Sequence, residues 1–71
     1  MGVHKVIEVM AQSKKSWEDA TQTAVSEAAE TVKAIKSVHI KEMHGIVENN
    51  KITQYRVNVK LTFEVATNRP A

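Results

Sequence analysis

In Ile52-Thr53-Gln54-Tyr55-Arg56-Val57-Asn58-Val59-Lys60-Leu61-Thr62-Phe63-Glu64-Val65, apolar and polar residues alternate more regularly than anywhere else in the chain. From Tyr55 to Val65, odd-numbered residues are apolar and even-numbered residues are polar. This period of two is typical of a β-strand with one side in a core. A strand of this length spans ~45 Å at about 3.3 Å per residue, which is longer than a small one-helix domain requires. The strand is therefore predicted to reach neighbouring subunits.

A second strand is predicted just before this one, from Val38 to Val47. Residues 48–51, Glu-Asn-Asn-Lys, separate the two strands, and asparagine adopts positive φ angles more readily than most residues. Such a turn predicts an antiparallel hairpin. A further strand is predicted from Val3 to Met10, where β-branched residues are frequent, followed by a polar loop at residues 12–15.

A helix is predicted between the first and second strands. The Ser16 hydroxyl is placed to cap its N-terminus, and Glu18 and Asp19 lie where the helix dipole favours acids. The helix is predicted to begin at Trp17 and to run to about Lys36. Apolar residues recur at steps of three and four along it: Ala20, Ala24, Val25, Ala28, Val32 and Ile35. This stripe predicts one side that packs on a sheet.

The order of predicted elements is β-α-β-β, which places the chain in the α+β class. A right-handed crossover from the first strand to the second leaves room for the third strand between them, antiparallel to both. We therefore expect a three-stranded antiparallel sheet wrapped around one amphipathic helix. Residues 1–66 are predicted to form one domain, and residues 67–71 a flexible C-terminal tail.

The composition predicts self-association. A chain of 71 residues has a small core, and such domains usually depend on disulfides, a metal or further subunits. The chain has no cysteine, which excludes disulfides and thiolate metal sites. A homo-oligomer is therefore the expected source of additional stability.

Composition and motifs also argue against several functions. The net charge is +2, and ten basic residues are interspersed with eight acidic ones, which does not favour nucleic-acid binding. No apolar run approaches the ~20 residues of a membrane span, and no signal-peptide core is present, so a cytoplasmic location without membrane contact is expected. With two glycines and no Gly-x-Ser-x-Gly pattern, the chain is not expected to be an enzyme.

The histidines and the polar side of the third strand are candidate binding groups. His39 and His44 are five residues apart on a strand, so they are predicted to face opposite sides and not to share a metal ion within a subunit. The histidines are interpreted as surface residues, and metal binding across a symmetry axis, where each subunit supplies one ligand, is kept as the alternative. The even-numbered residues of the third strand form a row of donors and acceptors opposite the helix, suited to an interior or an interface. Trp17 is interpreted as a packing anchor.

Four segments, in this order, resemble the dodecin family over nearly the whole chain. They are Lys5-Val6-Ile7-Glu8-Val9, Ser16-Trp17-Glu18-Asp19-Ala20, Lys41-Glu42-Met43-His44-Gly45 and Tyr55-Arg56-Val57-Asn58-Val59-Lys60-Leu61-Thr62-Phe63. The resemblance implies a hollow homododecamer, here called the shell, in which the long strand pairs across subunits and the helices lie outside. It also implies a non-enzymatic protein that stores flavin, since many dodecins bind flavins in pairs at two-fold axes.

The family pocket implied by this resemblance falls on Ser37, Glu42, His44 and Arg56. Dodecins stack a tryptophan of the second strand on the flavin ring and bind the ring edge with a glutamine of the third strand, but Ser37 and Arg56 stand at these positions. His44 replaces a frequent arginine, whereas Glu42 keeps an acidic character. One aromatic stack contributes ~1–3 kcal/mol, so losing two tryptophans from a paired site weakens binding roughly 30-fold to 10⁴-fold. Tight paired flavin binding is therefore not expected.

Two ligand hypotheses remain open. In the first, the shell binds and stores a small molecule, either a weakly held flavin (riboflavin or FMN) or a phosphorylated ligand such as coenzyme A. The Arg56 guanidinium supports the latter because it favours an anion over a neutral ring pair. In the second, the shell is purely structural or binds a divalent cation such as calcium, with acids such as Glu42 and Glu64 clustered at symmetry axes. The sequence alone identifies no metal ligands.

Overall fold

A three-stranded antiparallel sheet with one helix on one side forms the protein, as seen in a computed structural model that describes residues 3–65. The elements are β1 (Val3–Ser13), α1 (Trp17–Ala28), β2 (Ile35–Glu48) and β3 (Lys51–Val65). The strand order is β1-β3-β2, so the predicted element order and the central position of the third strand are confirmed. The predicted C-terminal tail at 67–71 and the domain boundary at 66 lie outside the described residues.

The core lies between α1 and the odd-numbered side of β3. Val57, Val59 and Leu61 are fully buried there. They belong to one cluster with Ala20 and Ala24, whose small side chains let the helix approach the sheet closely. Partly buried residues of β1 and α1 complete the cluster: Ile7, Val9, Ala11, Trp17, Val25 and Ala28. The alternation in the sequence therefore identifies correctly which side of β3 faces the helix.

The N-terminus of α1 is held by the predicted cap. Ser16 has an extended backbone, with φ −172°, and its Oγ accepts a hydrogen bond from the Asp19 backbone N–H at 2.9 Å. The Asp19 carboxylate in turn accepts a hydrogen bond from the Ser13 hydroxyl at 2.6 Å. Because Ser13 is the last residue of β1, these two bonds join the end of the strand to the first turn of the helix.

The helix is shorter than predicted. It ends at Ala28, whereas the sequence pattern predicted an end at about Lys36. Ala34 takes a positive φ of 61°, which is incompatible with a continuing right-handed helix. Ile35 fits the apolar helical stripe, but it pairs with Phe63 in the sheet. The spacing of Ile35 fits a helix, but this β-branched residue is also favoured in a strand, and its pairing in the sheet decides the outcome.

The strands are longer than predicted, and their turn is as predicted. β1 continues to Ser13, three residues beyond its expected end, and β2 begins at Ile35, three residues before its expected start. The turn between β2 and β3 contains Asn49 and Asn50, with positive φ angles of 53° and 64°. Asparagine tolerates this backbone region, which explains why these two residues can close the hairpin.

The fold is elongated and leaves apolar surface open. Its radius of gyration is 15.0 Å, whereas a compact chain of this length has about 11 Å. Its accessible surface is 5418 Å², compared with about 4,400 Å² for a compact protein of this mass. Five apolar side chains on the helix side of β2 and at the start of β3 are 37–60% exposed, and they form what we call the β2 apolar patch: Val38, Ile40, Met43, Val47 and Ile52. No helix within residues 3–65 is long and apolar enough to cross a membrane.

Candidate functional site

The side of the sheet opposite α1 is polar, and we call it the polar face. Its centre is the even-numbered row of β3 from Gln54 to Glu64. The pairing register adds neighbours from both outer strands: Glu8, Met10 and Gln12 from β1, and Ser37, His39, Glu42 and His44 from β2. All four residues of the predicted family pocket therefore lie on this face.

The four predicted pocket residues do not form one cluster within a subunit. His44 pairs with Arg56 across the β2–β3 register. Ser37 pairs with Thr62, which is six residues further along β3, or ~20 Å. Glu42 lies between these two positions. The structure thus brings His44 and Arg56 together and leaves Ser37 apart from them.

His39 and His44 lie on the same side of the sheet, so the prediction of opposite sides is wrong. A register shift at Lys41 inserts one extra residue into β2, which changes the alternation of the residues that follow. The β3 partners of the two histidines are Lys60 and Arg56, four residues apart, or ~13 Å. At this spacing, two imidazoles of one subunit cannot ligate the same ion. The distance along the sheet, and not opposite sides of it, is therefore what separates the two histidines.

Arg56 belongs to a hydrogen-bonded chain that crosses from β3 to β1. Its Nε donates to Gln12 Oε1 at 2.9 Å, and Gln12 Nε2 donates to Gln54 Oε1. His44 is the cross-strand neighbour of Arg56 on the other side. Gln12 was predicted to lie in a loop, and its place at the site depends on the extension of β1, which carries the strand to Ser13. The residues from Met10 to Ser13 show no apolar–polar alternation that would have extended the predicted strand to Gln12.

Two ion pairs engage other carboxylates of the polar face. Lys41 Nζ lies 3.3 Å from Glu8 Oε2, and Lys36 Nζ lies 3.8 Å from Glu64 Oε1. A hydrogen bond with Asn58, followed by the hydrogen bond and charge of Lys41, lowers the pKa of Glu8 below the usual value for glutamate. Glu8 and Glu64 therefore already have cations as near neighbours.

Glu42 differs from these two acids because it makes no ion pair within residues 3–65. Over the same part of the chain, no group of three or more histidine and carboxylate side chains is arranged to hold a metal ion.

Trp17 connects the helix to the strand that carries His44. Its indole Nε1 donates to the backbone carbonyl of His44 at 2.9 Å. Its ring meets Tyr55 edge to face, with centroids 4.8 Å apart and an interplanar angle of 79°. These contacts confirm the interpretation of Trp17 as a packing anchor. They also attach the helix to the backbone of His44, whose side chain lies on the polar face.

The β-α-β-β order and the central third strand define the class of protein, and comparison with known proteins agrees. The family model for dodecins matches residues 3–66, and the chain belongs to the dodecin family. The calcium dodecin of Mycobacterium tuberculosis is 30% identical over 70 residues, which cover 99% of each chain. Dodecins are small binding proteins rather than enzymes, and family membership indicates no catalytic function.

Solved structures share the fold. A Thermus thermophilus protein has a TM-score of 0.89 at 24% identity, covering 96% of this chain and 100% of its own. The Streptomyces coelicolor dodecin has a TM-score of 0.87 at 22% identity, covering 94% and 96%. The calcium-chelating dodecin of M. tuberculosis, described with a novel calcium-binding site, has a TM-score of 0.78 at 29% identity, covering 97% and 99%. The predicted fold class is confirmed by these similarities.

Proposed function

We propose that this protein assembles into a hollow shell of twelve copies that binds and stores a small molecule without chemical turnover. The observation that carries the proposal is the β2 apolar patch. In a single chain with the dodecin fold, these apolar side chains stay exposed to solvent, so further copies are needed to bury them. Exposed apolar surface beside a groove of about 570 Å³, lined in part by Val25, Val38 and Ile40, is suited to a neighbouring copy.

Native mass spectrometry of the purified protein tests assembly and cargo together. We expect a species near twelve times 7.9 kDa, with any retained ligand visible as added mass. A monomer or dimer at micromolar concentration would contradict the shell. Added mass in multiples of a flavin, a nucleotide or a metal would identify the cargo.

The stored molecule is not held by paired aromatic stacking of the usual dodecin kind. Ser37 is exposed and lies opposite Thr62, so the position of the family tryptophan offers hydroxyl groups where an aromatic surface is needed. Arg56 adds a fixed positive charge at the position of the family glutamine. A phosphorylated ligand such as FMN or coenzyme A suits these residues better than riboflavin does.

Restoring the family residues tests this reading of the pocket. Ser37→Trp combined with Arg56→Gln is expected to tighten riboflavin binding by roughly 30-fold to 10⁴-fold, measured by quenching of flavin fluorescence. Ser26→Trp, on the exposed side of α1, adds a tryptophan away from the pocket and should leave affinity unchanged. Equal riboflavin affinity in the wild type and the double variant would show that Ser37 and Arg56 do not determine flavin binding.

Calcium binding is the second candidate, and the observation that favours it is the 30% identity to a protein named calcium dodecin. Glu42 is suited to contribute, because its carboxylate is not engaged by a lysine within residues 3–65. If copies meet with these carboxylates close together, calcium should raise the melting temperature and magnesium should raise it less. Glu42→Gln should abolish the calcium-dependent rise, and an unchanged rise in that variant would remove Glu42 from the proposal.

A further inference from the structure

The orientation of the side chains around Arg56 follows from hydrogen-bond chemistry. A guanidinium only donates, so the Gln12 atom that contacts Arg56 Nε must be its amide oxygen. Gln12 then has its amide nitrogen free to donate, and the Gln54 atom that receives this bond must be an oxygen. One arginine therefore fixes the direction of both amides in the chain.

This arrangement leaves hydrogen-bond donors for an external ligand. With Nε engaged by Gln12, the Nη1–Nη2 edge of Arg56 makes no hydrogen bond to another residue between positions 3 and 65. The Gln54 amide nitrogen is a further donor, because its oxygen is the atom that faces Gln12. Two parallel N–H groups of a guanidinium match the spacing of two oxygens on a carboxylate or phosphate. The free edge is thus suited to a multi-oxygen anion.

The residues around Arg56 leave its positive charge available to an anion from outside the chain, because no carboxylate of the described residues pairs with it. Its direct cross-strand neighbours are Gln12 and His44, neither of which is acidic. Glu42 lies on the same face two residues from His44, opposite Asn58, and it forms no ion pair with Arg56. The charge of this arginine is therefore not neutralised by the part of the chain that the structure describes.

We propose that Arg56, held in place by Gln12, which in turn donates to Gln54, is a binding site for the oxyanion group of the stored molecule, such as a phosphate. This inference rests on the proposed function as a small-molecule store and specifies the chemical class of its ligand. Gln12 acts as a positioning residue, because it orients the guanidinium without carrying charge itself.

Isothermal titration with inorganic pyrophosphate, at fixed ionic strength, tests the site in the full-length assembled protein. Arg56→Gln is expected to weaken binding by about 10- to 100-fold, the usual range for loss of charge-assisted hydrogen bonds. Gln12→Ala keeps the charge but loses the orientation, and a weakening of about 3- to 10-fold is expected. Full affinity in either variant would overturn the proposal.

Lys60→Gln is the matched control. It removes one positive charge from the same strand and the same face, four residues from Arg56. Pyrophosphate affinity should change less than about twofold, because surface charges at ~13 Å are largely screened by salt. If Lys60→Gln weakens binding as much as Arg56→Gln does, the anion is attracted by the whole face and the specific site is rejected.

A comparison of FMN with riboflavin identifies the source of the oxyanion. The two share one ring system and differ by a phosphate, so a phosphate-ester ligand predicts tighter binding of FMN, by about tenfold, and equal binding in Arg56→Gln. Pyrophosphate binding without any preference for FMN would indicate a free anion as the ligand. A twelve-copy species in native mass spectra that binds riboflavin and FMN equally, and no pyrophosphate, would reject this site while leaving the storage function intact.

Discussion

The helix side of the sheet has two halves that differ in how much of their apolar surface one chain covers. Over β1 and β3, α1 buries Val57, Val59 and Leu61 completely. Over β2, which belongs to the same sheet, Ile40 is 41% exposed and Met43 is 52% exposed. The sequence of β2 supplies apolar residues on this side, but nothing between residues 3 and 65 covers them fully.

The difference follows from the dimensions of the elements. A helix of 12 residues is about 18 Å long, whereas a strand of 15 residues extends to about 50 Å. One such helix can cover the width of two strands over part of their length, and it covers β1 and β3. The first half of the sheet is therefore a folded core, and the second half is an open apolar surface, which the proposed assembly would cover.

The largest expected effect comes from the covered half. Leu61→Ala should lower the free energy of unfolding by about 2–5 kcal/mol, because Leu61 is fully buried and its truncation leaves a cavity. The measurement is urea denaturation at matched protein concentration, since assembly contributes to apparent stability. Lys60→Ala, one residue away on the polar face, should cost no more than about 0.5 kcal/mol. Equal losses in the two variants would contradict the division of β3 into a core side and a polar side.

The uncovered half is tested by adding a charge to it. Ile40→Lys should prevent assembly, because an unpaired ammonium in an apolar interface costs several kcal/mol, and native mass spectra should show small species. Ile40→Val keeps the surface apolar and should assemble. Ser26→Lys adds the same charge to the exposed side of α1 and should also assemble. A twelve-copy species formed by Ile40→Lys would show that the β2 apolar patch is not the contact surface.

The same contrast separates what the sequence predicts well from what it does not. The alternation in β3, the Ser16 cap and the asparagine turn are local signals, and each is confirmed. The structure around Ile35 is not decided locally, because this residue fits a helical stripe as well as a strand and its place in the sheet depends on pairing with Phe63. Features encoded by a few neighbouring residues can thus be predicted from the sequence, whereas features that depend on pairing with a distant strand cannot.

The candidate site depends even more on distant pairing. Arg56 is identifiable from its place in the strand, but its contact with Gln12 requires the β1–β3 register. The extra residue at Lys41 changes the side on which His44 lies, and no glycine marks that bulge. Alternation alone therefore places His44 on the wrong side relative to His39. Only the three-strand pairing assembles the site.

A smaller effect is expected at the hydrogen bond that joins α1 to β2. Trp17→Phe keeps an aromatic ring against Tyr55 but removes the indole donor to the His44 carbonyl. The expected loss is about 0.5–1.5 kcal/mol in the free energy of unfolding, measured by denaturation. Trp17→Ala removes the ring as well and should cost more, about 3 kcal/mol. If the two variants lose the same stability, the hydrogen bond rather than the ring is what holds the helix to β2.

The smallest expected effect concerns the ion pair of Glu8 with Lys41 on the polar face. The pKa of Glu8 is lowered in the folded chain by Asn58 and Lys41, so its ionised form is favoured by folding. The stabilisation is present above the ordinary glutamate pKa of about 4.3 and is lost as pH falls through the lower folded pKa. Glu8→Gln should therefore reduce the loss of stability between about pH 5 and pH 3, measured as melting temperature against pH. Both side chains are substantially exposed, so solvent and salt screen the pair and the change should shrink further in 1 M salt. Identical pH profiles for wild type and Glu8→Gln would show that the polar face, unlike the covered core, gains no stability from this contact.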